Sequence, residues 1–129
     1  MTIAAGFAFN GGVILCADTQ ETIGSAKRWV PKLLLEPVRM DGLDGVDDLM
    51  IAMAGAGDGP FMDKIVERAW DDSQSAQSFG DACRLIERSI EATYTHYGTI
   101  FQPGYIPMTE IVYGVKMQGQ SKLYTAIGP

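Results

Sequence analysis

The stretch MTIAAGFAFNGGVILCAD, residues 1–18, decides how the rest of the chain is read. Two apolar runs, IAAGFAF over 3–9 and VILCAD over 13–18, flank Asn10-Gly11-Gly12, a pattern that predicts a β-hairpin. A half-exposed hairpin alternates apolar with polar residues, whereas this one is apolar at nearly every position, so the pattern predicts a sheet covered on both faces. Thr2 stands directly behind Met1. Removal of the methionine would leave it as the first residue, with a free α-amine beside its hydroxyl.

Working outward, SAKRWV (25–30) and KLLLE (32–36) read as a shorter strand pair on either side of Pro31. The acidic turn DGLDGVDD (41–48) then leads into a buried strand, LMIAMAG (49–55). The period changes after it. Phe61, Met62, Ile65, Val66, Ala69 and Trp70 recur at helical spacing, with Asp58 as N-cap and Pro60 in the first turn. A second helix is predicted from Phe79 to Tyr97, capped by Ser78 and ended by Gly98. TEIVYGV (109–115) and KLYTAI (122–127) form a last hairpin around Gln118-Gly119-Gln120. Strands, two helices and strands make an α+β domain, one unit over residues 1–129, with antiparallel sheet and a helical layer. Nothing after the last strand builds a second helical layer for the apolar first hairpin, so a partner subunit or further chain is expected to cover it.

Composition narrows the classes. A net charge of −6 disfavours nucleic acid as a partner, because phosphate binding needs clustered Lys and Arg. The longest apolar run, LMIAMAGAG, is far short of the ~20 residues of a membrane span, and the N-terminus lacks a basic start, so a cytoplasmic location is expected. Cys16 and Cys83 read as buried free thiols. Asp41, Asp44, Asp47 and Asp48 lack calcium-loop spacing, and His96 has no second ligand nearby, so neither a metal nor another cofactor is expected.

Taken in order, MTIAAGFAFNGGVILCADTQET with Thr2 and Asp18, PKLLLE with Lys32, and IAMAGAGDG with Gly55 resemble the proteasome β-type subunits and the bacterial HslV protease. These are members of the N-terminal nucleophile (Ntn) hydrolase superfamily. Gln20, Thr22 and Gly24 in DTQETIG are similar to the HslV form of the second motif. The resemblance implies a sandwich of antiparallel sheets with helical layers, of which the second helix layer is missing here. It also implies a threonine-type endopeptidase in a homo-oligomeric ring, acting on peptide or unfolded protein and fed by an unfoldase ATPase. Thr2 would be nucleophile and base, Asp18 and Lys32 an activating ion pair, Gly55 an oxyanion donor, and Met53 a lining of the first specificity pocket. A non-catalytic structural ring subunit and an Ntn amidase acting on small molecules are the alternatives.

The residue types suit that chemistry. A threonine hydroxyl needs a base within reach, and an α-amine with a pKa of about 7.7–8.0 supplies one. A nearby ammonium favours the alkoxide, and a carboxylate fixes the ammonium. Register adds a condition. A two-residue turn at Asn10-Gly11 sets Ile3 opposite Asp18 and points Thr2 to the other face, so the catalytic reading asks for an odd-numbered loop.

Overall fold

The computed structural model describes residues 3–30, 32–39, 48–100 and 107–128. Strands β1 (Ala4–Phe9) and β2 (Gly12–Ala17) form the first hairpin, and β3 (Gln20–Ile23) and β4 (Ala26–Trp29) a second. Then come β5 (Leu33–Arg39), β6 (Leu49–Gly57), helices α1 (Gly59–Ser73) and α2 (Phe79–Gly98), β7 (Thr109–Met117) and β8 (Gln120–Gly128). Among the described residues every pairing is antiparallel, and β5-β6-β7-β8 make one four-stranded sheet. The class is α+β, as the element order predicts. No helix among the described residues is long and apolar enough to cross a membrane.

The core lies between this sheet and the helices. Leu49, Ile51 and Met53 of β6 and Ile111, Tyr113 and Val115 of β7 all project to the helical side and are at most 5% exposed. They meet Phe61, Ile65 and Ala69 of α1 and Ala82, Ile86 and Ile90 of α2. Each large apolar side chain buried this way contributes about 1.5–3 kcal/mol. Both caps form as the sequence predicts. The Asp58 carboxylate accepts from the Phe61 N–H at 2.9 Å, and the Ser78 hydroxyl accepts from the Asp81 N–H at 3.1 Å. The Ser89 hydroxyl donates to Asp72 at 2.7 Å, which ties α2 to α1 through a polar bond beside the apolar seam.

The first hairpin lies on the opposite face of the sheet, so the molecule has three layers. Small residues permit the approach. Val13 sits against Gly114, and a Cβ on Gly6 would lie 2.8 Å from Leu123 Cδ1. Covering on both faces, the sequence expectation, is met on one only. On the outer face Ile3, Phe7, Phe9 and Ile14 are 62%, 61%, 56% and 53% exposed. Cys16 shares that face and is exposed, contrary to the expected buried thiol, while Cys83 is half-buried.

Two strand assignments also change. SAKRWV does not pair with KLLLE; its Ala26–Trp29 portion folds back on Gln20–Ile23. Leu33–Arg39 instead joins β6, with Leu34 opposite Met53, where Leu34 meets α1 and Val38 enters the core while Leu33 and Leu35 stay exposed. The last hairpin closes through two residues, Gln118 and Gly119. Most of the acidic turn, residues 41–47, lies outside the described residues.

Seating of the hairpin can be tested at Gly114. Gly114→Ala forces a methyl into Val13, and overpacking of this kind is expected to lower stability by about 1–3 kcal/mol, read as a lower urea midpoint with an unchanged slope.

Candidate active site

Asp18 and Lys32 are 14 residues apart, and the β3–β4 ribbon brings them together. Its ladder pairs Gln20 with Trp29, and the Val30 N–H donates to the Thr19 carbonyl at 2.7 Å, so the chain leaving β2 meets the chain entering β5. The Lys32 ammonium lies 3.3 Å from both Asp18 carboxylate oxygens and also donates to the Gln20 carbonyl. The two side chains are 12% and 29% exposed. An ammonium this sheltered is tolerable because charge-assisted bonds replace its water.

Asp18 makes a second set of contacts at the start of β1. Its Oδ1 accepts from the Ile3 N–H at 3.1 Å, while its own N–H donates to the Ile3 carbonyl at 3.0 Å. The Ile3 N–H bond holds the carboxyl below its ordinary value of 3.8, aided by the Lys32 ammonium and opposed by partial desolvation.

The odd-numbered loop is corrected. Phe9 pairs with Gly12 across a two-residue turn, which sets Ile3 level with Asp18. Asp18 nevertheless reaches the head of β1, because its carboxylate takes the Ile3 amide, the nitrogen of the Thr2–Ile3 peptide bond. A two-residue turn is the arrangement that the register condition sets against the catalytic reading. Thr2 itself is outside the described residues.

Gly55 is not at a strand end, where the sequence reading put it; β6 runs on to Gly57 before Asp58 caps α1. Its position is still informative. Leu33 pairs with Ala54, so one further step sets Lys32 level with Gly55. Hydrogen bonding alternates along each ladder, and counting from the Met117–Gln120 closing pair turns the Gly55 N–H away from β7, toward the side where Lys32 lies. A Cβ here would press on Met62, whose sulfur lies 3.0 Å away. Met53 is 2% exposed and packs toward α1, where it borders a narrow crevice with Leu34, Val66 and Trp70.

Two backbone groups in the cluster, the Ile3 N–H and the Gln20 carbonyl, have no signature in side-chain identity; only the register reveals them. His96 is exposed and packs edge-on against Tyr97 at 5.0 Å. Among the described residues no group of three or more His, Cys, Asp or Glu side chains is placed to hold a metal ion.

No protein-family model matches the chain, and no curated protein matches it in sequence. Solved structures do. A Gly-1 mutant of Anbu from Hyphomicrobium sp. strain MC1 superposes with a TM-score of 0.69 at 17% identity, covering 98% of this chain and 52% of that one. Anbu from the same strain gives 0.66 at 14% identity, with 98% and 53% covered. The helical assembly of the Anbu complex from Pseudomonas aeruginosa gives 0.65 at 12%, with 97% and 52% covered. The chain therefore spans about half the length of these neighbours. Anbu is an HslV- and proteasome-like Ntn hydrolase family member, and at these identities the likeness shows the broad fold.

Asp18 also sets an acid-stability signature. Because its folded pKa lies below 3.8, its stabilising contribution is complete above that value and is lost as pH falls through it toward the lower folded value. Asp18→Asn is expected to unfold at lower urea concentration than wild type at neutral pH and to lose less of its midpoint below pH 3.8, as followed by circular dichroism.

Proposed function

We propose that this chain is a threonine-type Ntn peptidase subunit that cleaves peptide bonds once Met1 is removed. The observation that carries the reading is the Asp18 carboxylate, which spans the Lys32 ammonium and the amide of the Thr2–Ile3 bond. That arrangement ties a sheltered cation to Ile3, the residue that follows the proposed nucleophile in the chain.

The steps follow from the groups. The Thr2 hydroxyl attacks the scissile carbonyl as its own α-amine takes the proton, directly or through one water. Lys32, held by Asp18 and the Gln20 carbonyl, supplies positive charge that favours the alkoxide. The Gly55 N–H, turned toward the Lys32 side of the sheet, donates to the oxyanion. Collapse expels the amine fragment with a proton and leaves an ester on Thr2. Water then attacks that ester and releases the carboxylic acid fragment. Met53, two residues before Gly55, borders the apolar crevice with Leu34, Val66 and Trp70 and is flexible enough to yield to a medium-sized apolar substrate side chain.

The assembly proposed is a homo-oligomeric ring that receives unfolded polypeptide from an ATPase. Its support is the proteasome-like fold, together with a neighbour described as a complex in a helical assembly. The bare apolar face of the first hairpin offers surface for further burial.

Activity and processing test the reading together. Intact mass is expected to show loss of Met1, and Thr2→Ala to abolish turnover of a fluorogenic peptide with folding unchanged. Lys32→Ala is expected to lower kcat by at least about a hundredfold, and the wild-type rate to rise with pH through about 8 as the amine loses its proton. Retained Met1 with no turnover would identify a structural ring subunit, and turnover of small amides but not peptides an amidase.

A further inference from the structure

The two edges of the four-stranded sheet differ. β5 carries Pro37, which has no N–H, and its register with β6 slips between Pro37 and Arg39; both features blunt an edge. β8 runs nine residues with no proline, no register shift against β7 and a single charged residue, Lys122. Its free groups follow from its turn. Gln118 and Gly119 have φ of 53° and 72°, a type I′ geometry in which Met117 and Gln120 form a hydrogen-bonded pair. Along the ladder Gln120, Lys122, Tyr124, Ala126 and Gly128 then bond β7, while Ser121, Leu123, Thr125 and Ile127 direct their N–H and C=O groups outward. No strand among the described residues pairs with that side.

Beside this edge a groove of about 1210 Å³ separates β8 from α2. Its floor is Tyr124, stacked on Tyr113 with ring centroids 5.1 Å apart. Helix and strand run in the same sense, since Cys83 lies against Tyr124 and Tyr94 against Gly128. The groove is charged in order along its length: Arg84 and Lys122 at one end, Glu87 in the middle, Glu91 toward the other. Two residues along β8 span ~6.6 Å and four along α2 ~6 Å, so with Glu87 beside Tyr124, Ala126 is level with Glu91.

We infer that two copies of this chain pair through β8, antiparallel about a two-fold axis at Tyr124, joining their sheets into one of eight strands. This register sets Leu123 against the partner's Thr125 and Ser121 against the partner's Ile127, so every outward backbone group meets another. Ile127, 74% exposed in the single chain, gains a neighbour. The order of charges selects a second copy over a foreign strand, because reversal brings Arg84 and Lys122 level with the partner's Glu91, and does so twice. Arg84 already pairs with Asp81 at 3.3 Å, but a guanidinium has further donors to give. Glu87 meets the partner's Glu87 near the axis, one repulsion against four attractions. A ring is built from head-to-tail contacts, so this two-fold contact stands or falls independently of the function proposed above.

Sedimentation equilibrium of the full chain tests it. The wild type is expected to dimerise. Thr125→Pro removes one outward N–H and no bond to β7, and is expected to raise the dimer dissociation constant at least about tenfold, while Thr125→Val, which keeps the N–H, leaves it unchanged. Glu91→Arg alone and the double variant Arg84→Glu/Lys122→Glu alone are each expected to be monomeric, and their mixture to form a heterodimer. These three positions are exposed, so the mixture decides the matter even if Thr125→Pro does not fold. A wild type that stays monomeric at millimolar concentration overturns the inference and leaves the edge to a strand of another protein. A dimer indifferent both to Thr125→Pro and to the charge exchange overturns it too.

Discussion

One carboxylate joins the parts of this molecule that sequence keeps apart. Asp18 lies where the first hairpin ends and holds the head of β1 through the Ile3 amide, while its other bonds reach the ammonium that precedes β5. The first hairpin and the four-stranded sheet are separate sheets, in contact through side chains and small residues. Without a polar link their relative position along the strands would rest on apolar packing, which is non-directional. The ion pair adds direction, and it does so at the end of the hairpin where the chemistry is proposed.

Packing makes that link possible. The helices cover one face of the sheet, with Ile65, Ala69 and Ile86 wholly buried, and so leave the other face for the hairpin. On that face Gly114 lets Val13 descend onto the sheet. Depth of seating sets the height of Asp18 above β5 and β6, and with it the reach of Lys32. Stability and site geometry are thus coupled through a residue that contributes no side chain.

Helices were the most legible part of the sequence, since their caps and three-to-four-residue periodicity are local. Asp58 and Ser78 bond as their positions predict. Pairing partners were less legible. Residues 25–30 and 32–36 are adjacent in sequence and look like a hairpin around Pro31, yet burial of Leu34 against Met53 and the helices draws the second segment into another sheet. At the site, the resemblance to a known family put Asp18 beside Lys32, and the structure brings them together. Their backbone partners, Ile3 and Gln20, enter through N–H and C=O groups that every residue carries, so no choice of side chain could announce them. The two-residue turn is the case that the register condition sets against the catalytic reading, and Thr2, the residue it concerns, lies outside the described residues.

The contrast between the two sheet edges has a further consequence. A sheet open on both sides can add copies without limit, which is the geometry of a fibril. Here Pro37 and the slipped register close one side. In the pairing inferred above, lateral addition through β8 therefore terminates after a single copy, which gives a sticky margin without the hazard of polymerising along it.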